Sequence, residues 1–307
     1  MKPLTIIIPC YNMEKYILIA LTSILKQKNQ EEFCDVFIID DGSQDESKKI
    51  VKEFIDNNNL NNFYYYKKDN GNWGSVINFA KNNLNLNSKY VTILDADDYY
   101  KENLFIELKK HINYNYDLIF TGFYEIKKEF KIHKGYLIPG KGNEKIKKKY
   151  MRFPSLIPLC KFFKTDLFVQ LDDLEEKVSY QDIILWNKFI DISNSFYYIK
   201  KEYGYYLNHR EGASSTQPFN EQRIKVMMKI INKLLINKDI YLNGYLMALL
   251  MHLKKNTPKE KRKFIILEGQ FQTIRKFKLL WCPFGTKTIV KIGMFLYLNK
   301  LLINGSF

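Results

Sequence analysis

Two hydrophobic rhythms alternate along the N-terminal part of the chain. Leu4-Thr-Ile-Ile-Ile8 and Val36-Phe-Ile-Ile39 are short unbroken apolar runs, the pattern of strands buried on both faces, and Pro9 and Asp40-Asp41-Gly42-Ser43 end them. Between them Tyr16, Ile17, Ala20, Leu21, Ile24 and Leu25 recur at helical spacing, with Asn12 as the expected N-cap. Ile50, Val51, Phe54 and Ile55 mark a second amphipathic helix, Phe63 to Tyr66 a third strand, Gly74 to Leu84 a third helix and Tyr90 to Leu94 a fourth strand. This alternation predicts an α/β fold, a mostly parallel sheet flanked by helices.

After residue 123 the rhythm loosens. Asp117 to Phe123 reads as a further strand, 124–140 as a hairpin or excursion, 143–151 as a basic helix, Asp182 to Ile192 as a helix and Phe196 to Leu207 as strand-rich. From Phe219 onward the periodicity is helical, as in Met227, Ile230, Ile231, Leu234 and Leu235. Gly212, Ser214, Ser215 and Pro218 interrupt the pattern, so two units are expected, 1–215 and a helical subdomain, 216–307.

Composition narrows the class. With 307 residues, 46% hydrophobic and 15% aromatic, the chain can bury a sizeable core. The net charge of +15 favours polyanionic partners, which include nucleotide phosphates and anionic membrane surfaces. Lysine runs such as 145–149 and 259–263 read first as solvated faces, and neither zinc-finger spacing nor an aromatic-glycine RNA-binding signature is present, so no nucleic-acid partner is expected. Cys10, Cys34, Cys160 and Cys282 form no CxxC pair, which fits a reduced, cytoplasmic setting without structural zinc. Residues 1–9 are too short an apolar run for a secretory leader, and no uninterrupted apolar stretch would span a bilayer.

Chemistry is concentrated where predicted strands end. Tyr90 to Leu94 runs directly into Asp95, Asp97 and Asp98, three carboxylates whose repulsion calls for a divalent cation or a set of donors. Pro9-Cys-Tyr11-Asn12 and Asp40-Asp41-Gly42-Ser43 follow the first and second strands. Ligands of open α/β sheets bind outside such carboxyl ends. Taken singly, each cluster is also an ordinary turn or helix cap.

Together, Thr5-Ile-Ile-Ile-Pro9-Cys-Tyr11-Asn12, Ile39-Asp40-Asp41-Gly42-Ser43-Gln-Asp45 and Leu94-Asp95-Ala-Asp97-Asp98 resemble glycosyltransferase family 2. That resemblance implies the GT-A fold, a nucleotide-binding half at about 1–123 and an acceptor-side half at about 124–215. It places Pro9 and Tyr11 against the nucleotide and Asp41 on an N–H of the base, which for a carboxylate acceptor suits uracil. Asp45 reads as a cap of the following helix. Asn72, Gly74 and Asn78 match the family's glycine-bearing segment, with glycines allowing close approach to a ligand, although Ile77 stands where many relatives carry a basic residue. Asp95 and Asp97 match its DXD motif, with Asp97 the expected direct ligand of Mn²⁺ or Mg²⁺, Asp95 on ribose or metal, and Asp98 a helper.

In Ser179-Tyr-Gln181-Asp182, the resemblance makes Asp182 the general base, with Gln181 in place of the more usual Glu. His209 and Arg210 match a loop that closes over the diphosphate, His209 as a metal ligand or donor and Arg210 as a phosphate clamp, while Lys161 and Lys164 are weaker phosphate candidates. Residues 275–281 and 289–303 mix basic and apolar positions, as an interfacial membrane helix or a homodimer contact would. The expected activity is metal-dependent, inverting transfer of a hexosyl or N-acetylhexosaminyl group from a UDP-sugar to a hydroxyl of a glycan or lipid-linked glycan, in bacterial surface polysaccharide synthesis. The competing readings are an impaired nucleotide-sugar-binding scaffold at the membrane and a nucleotidyltransferase.

Overall fold

The structure, a computed structural model, describes residues 1–126, 132–134, 144–146, 157–178 and 180–207. By its internal contacts the chain divides into Met1–Ser215 and Thr216–Phe307, and every described residue belongs to the first unit.

The first half is built as its periodicity predicts. Strands β1 (Lys2–Cys10), β2 (Cys34–Asp40), β3 (Phe63–Lys67) and β4 (Ser88–Ile93) alternate with helices α1 (Ile17–Leu25), α2 (Gln30–Phe33), α3 (Ser47–Asn57) and α4 (Asn72–Asn83). After β4 come β5 (Tyr99–Tyr100), α5 (Leu104–His111), β6 (Leu118–Ile126), β7 (Ile132–Lys134), β8 (Glu144–Ile146), β9 (Lys161–Lys164), α6 (Thr165–Phe168), α7 (Gln181–Ile192) and β10 (Phe196–Leu207). The sheet runs β3-β2-β1-β4-β9-β6-β10-β5, with β7 on β6 and β8 on β10. Strands β3, β2, β1, β4, β6 and β10 point one way, and β9 is inserted antiparallel between β4 and β6, so the sheet is mixed.

Alternation along β1 separates two cores. Leu4, Ile6 and Ile8 pack with Ala20, Leu21 and Ile24 of α1 and with Leu104 and Leu108 of α5. Ile7 joins Ile93, Phe120 and Phe163 beneath Val76 and Ile77 of α4 and Leu185, Trp186 and Phe189 of α7.

Several expected elements shift. Asn12 does not cap α1: the helix begins at Ile17, while Asn12, at φ 52°, accepts from the Gln44 amide at 2.9 Å and donates its own amide to Ser43 Oγ at 2.9 Å. Helix α4 starts two residues before Gly74, which therefore lies in its first turn. The basic helix expected over 143–151 is overturned at 144–146, where β8 pairs antiparallel with Phe196–Tyr198 of β10; the rest of that range lies outside the described residues. Unpaired backbone on a sheet edge outweighs the helix propensity of so short a lysine-rich segment. Strand β9 was not anticipated: four residues, Lys-Phe-Phe-Lys, carry too little periodicity to register.

Candidate active site

Strand β1 lies between β2 and β4, so the chain moves away from it in one direction through β2 and β3 and resumes on its other side at β4. Such a reversal opens a crevice at the carboxyl ends of the strands. Pro9 sits beyond the last β1–β4 pair, Ile7 with Ile93, where its missing N–H takes nothing from that ladder. Tyr11, next past the strand end, is 45% exposed.

The neighbouring turn is held rigidly against this segment. Asp40 accepts from the Ser43 amide at 2.7 Å and from the Tyr65 hydroxyl. Asp45 accepts from the amides of Ser47, at 3.1 Å, and Glu14, at 2.9 Å, so it caps the start of α3 while pinning the segment after β1.

Asp41 is buried. Its Oδ1 accepts from Lys68 Nζ at 2.7 Å and the Gly71 amide at 3.0 Å, and its Oδ2 from the Asn72 amide at 2.8 Å. It thus caps α4 from another strand, with Lys68 balancing its charge. Lys68 was missed in the sequence because its partner lies 27 positions away.

Helix α4 in turn shapes the segment leading to α7. A Cβ on Gly74 would lie 3.0 Å from Gln181 Cγ and 3.1 Å from the Glu175 carbonyl, so the close approach that this glycine permits is to the protein's own α7, not to a ligand. Asn78 donates to the Leu174 carbonyl at 2.9 Å and accepts from its amide at 2.8 Å, so both ends of its amide bind backbone. Gln181 is buried and accepts from the Glu175 amide at 3.1 Å. Ile77 belongs to the core under α4. Asn78→Ala leaves two buried backbone groups of Leu174 unsatisfied and should cost about 1–3 kcal/mol in urea unfolding. Because the 171–178 segment leads into α7, turnover should fall as well.

At the end of β4 the three carboxylates diverge. The chain turns at Ala96 and Asp97, with the Asp98 amide donating to the Asp95 carbonyl at 2.9 Å, so Asp95 and Asp97 do not share the extended strand end expected for them. Asp95 Oδ1 accepts from Trp73 Nε1 of α4 at 2.8 Å. Asp98, 1% exposed, accepts from the Leu207 amide at 3.0 Å through Oδ1 and so ties this turn to the end of β10.

Asp182 lies in the first turn of α7, after Tyr180 at φ 63°. Burial pushes its carboxyl up to about 6, opposed by backbone amides of Ile183 and of Asp182 itself and by the positive charge of Lys161. Lys161, the first residue of β9, is 4% exposed, and its ammonium lies 5.0 Å from the centre of the Trp186 ring, one helical turn beyond Asp182. Burial lowers it to about 7, against the upward pull of Cys160, Asp182 and Asp95. Tyr206, on β10, has its phenol raised by burial and then by Asp98, Asp97, Asp95 and Asp182. One lysine and one tyrosine therefore link the Asp95–Asp98 turn to Asp182, although the two segments lie far apart in sequence. Lys164 pairs with Tyr90, toward the amino end of β4, and so lies away from the site. His209 and Arg210 lie outside the described residues.

Among the described residues no group of three His, Cys, Asp or Glu side chains forms a metal cage. A Mg²⁺-type ion needs less, since it is held by one or two carboxylates and completes its shell with water and substrate phosphate. Asp95 and Asp97, hard-oxygen donors that keep partial exposure at the crevice, fit that requirement.

The pattern of Glycosyl transferase family 2 matches residues 5–171, which include every strand end described above except that of β10. The chain belongs to glycosyltransferase family 2. An uncharacterized glycosyltransferase of Mycoplasma genitalium is 36% identical over 238 residues, covering 76% of this chain and 79% of the relative. Among solved structures, S. aureus TarS residues 1–349 in complex with UDP-GlcNAc superposes with a TM-score of 0.69 at 22% identity, over 87% of this chain and 79% of that one. The mannosyltransferase PcManGT from Pyrobaculum calidifontis, in complex with GDP-Man and Mn²⁺, superposes with a TM-score of 0.56 at 15% identity, over 99% and 88% of the two chains. The fold is that of the GT-A glycosyltransferases. No helix among the described residues of this glycosyltransferase is long and apolar enough to cross a membrane.

Proposed function

We propose that this glycosyltransferase moves a hexosyl or N-acetylhexosaminyl group from a UDP-sugar to a hydroxyl of a glycan or lipid-linked glycan, with inversion, in the synthesis of a bacterial surface polysaccharide. The observation that carries the reading is the meeting of the Asp95–Asp98 turn with Asp182 around Lys161 and Tyr206 at the open end of the sheet. Transfer has two demands, a charged leaving diphosphate and a proton on the acceptor, and the two carboxylate groups divide them.

The nucleotide occupies the crevice between β1 and β4. Tyr11 packs on the base, and Pro9 shapes the wall beneath it. Asp41 Oδ2 accepts a single bond among the described residues, from the Asn72 amide, which leaves it capacity for an imide N–H of uracil. Bound by Asp97 and Asp95, Mn²⁺ or Mg²⁺ supplies positive charge to the leaving diphosphate, and Arg210 and His209 are assigned to the same diphosphate from the sequence. Asn72 borders this crevice, whereas Gly74 and Asn78 act by setting the approach of α7. Asp182 accepts the proton of the attacking hydroxyl, so a single in-line displacement inverts the anomeric carbon. The TarS complex, named with UDP-GlcNAc, supports the choice of UDP, and the PcManGT complex, named with Mn²⁺, supports the metal.

The test is nucleotide release from a panel of UDP-sugars and GDP-mannose with Mn²⁺, with the anomeric configuration of the product read by NMR. UDP release with an inverted product is expected. Pyrophosphate release from a nucleoside triphosphate and a sugar phosphate would instead identify a nucleotidyltransferase, and donor binding without turnover a nucleotide-sugar-binding scaffold.

A further inference from the structure

Lys161 is a buried cation for which the transfer chemistry above has no use. Its Nζ has no hydrogen-bond partner among the described residues, so all three of its donors are unspent at 4% exposure. An arrangement of this kind costs stability unless the charge performs a task. Its position is fixed by register. Strand β9 runs antiparallel to β4, with Thr92 opposite Phe162, so Lys161 falls beside the carboxyl end of β4, while on its other side it pairs with Phe120 of β6. Paired residues project to the same sheet face, and Phe120 belongs to the core covered by α4 and α7. The ammonium therefore points beneath the first two turns of α7, where the Trp186 ring covers it.

We propose that Lys161 is a positioning residue of the transfer reaction, a fixed buried cation between the donor-side carboxylate Asp95 and Asp182, whose field keeps Asp182 able to accept the acceptor's proton. This rests on the reading of Asp182 as that acceptor. The charged or titratable groups coupled to Asp182 are Lys161 from β9 and Tyr206 from β10, and Tyr206 in turn feels Asp95, Asp97 and Asp98 from the turn after β4. Cys160, beside Lys161, has its thiol pushed up to about 12 by burial and stays neutral. The role requires no bond between Lys161 and substrate. The Lys161 charge adds to the Ile183 amide in opposing the burial that raises the Asp182 carboxyl to about 6, and Lys161, at about 7, is itself mostly protonated where Asp182 titrates.

The experiment is an NMR titration of protein carrying carbon-13 at aspartate carboxyls, with the Asp182 resonance identified by its absence from Asp182→Asn. In the wild type its midpoint should lie at about 6. Lys161→Met, close in shape and uncharged, should raise the midpoint by about one unit and move the acidic limb of UDP release upward by the same amount. Lys161→Arg should hold both near the wild type. Lys161→Met should also melt at the same or a higher temperature, since it removes an unpaired buried charge, and Lys161→Gln replaces it if it fails to fold. A midpoint that stays put or falls in the neutral variants overturns the proposal. Full turnover by Asp182→Asn would instead overturn the base assignment, and the carboxyl titration would still report whether Lys161 acts on Asp182.

Discussion

Asp182→Asn should lower kcat for sugar transfer by about 10²–10⁴-fold, the usual contribution of a positioned base, while UDP binding stays within about twofold. The amide keeps the shape of the side chain but cannot take a proton, and the donor crevice is formed by other strands. Stability should move in the opposite direction. The folded-state carboxyl, at about 6, lies above its unfolded value of about 3.9, so between those values the folded protein holds the proton more tightly than the unfolded chain. Stability associated with this group is therefore fully present below about pH 4 and is lost as pH rises through about 6. At pH 7.5 the asparagine variant should melt at a higher temperature than the wild type, by a few degrees at most. In the wild type, kcat should fall tenfold per pH unit below about 6, and this limb should be absent from the residual activity of Asp182→Asn. A loss of activity accompanied by unfolding would point to a helix-start role for Asp182.

Asp97→Ala should reduce UDP release by about 10²–10³-fold and weaken Mn²⁺-dependent UDP binding in calorimetry, since several kcal/mol of charge stabilisation on the diphosphate depend on the ligand that holds the metal. Its melting temperature should barely change. Asp98→Ala is the informative contrast: this carboxylate is buried and holds the Leu207 amide, so its loss should appear first as about 1–3 kcal/mol of stability. Two carboxylates adjacent in sequence should thus fail in different ways. Equal kinetic losses with unchanged stability in both variants would return Asp98 to the metal site.

The contrast shows which parts of the site were legible in the chain. Strands β1 to β4 could be read because each is a run of apolar residues ended by polar ones, and the strand-end rule then placed Tyr11, Asp41 and Asp97 on one edge. What escaped were relations between distant segments. Asp98 looks the same as Asp97 until β10 returns to claim its carboxylate. Gly74 and Asn78 resemble ligand-facing residues until the 171–178 segment packs against them. Gln181 and Ile77, departures from the family pattern that raised the question of lost activity, both have packing roles, one holding the Glu175 amide and the other filling the core under α4. Lys161 was legible only as a weak phosphate candidate, because its burial under α7 depends on a four-residue antiparallel strand inserted between β4 and β6.

The most direct measurement is an anomalous difference map from crystals soaked with UDP and Mn²⁺. A manganese peak in coordination distance of an Asp97 oxygen, with the diphosphate beside it, the uracil ring on Tyr11 and its imide N–H directed at Asp41, is the expected result. A nucleotide bound away from the carboxyl ends of β1 and β4, or manganese held without Asp97, would contradict it.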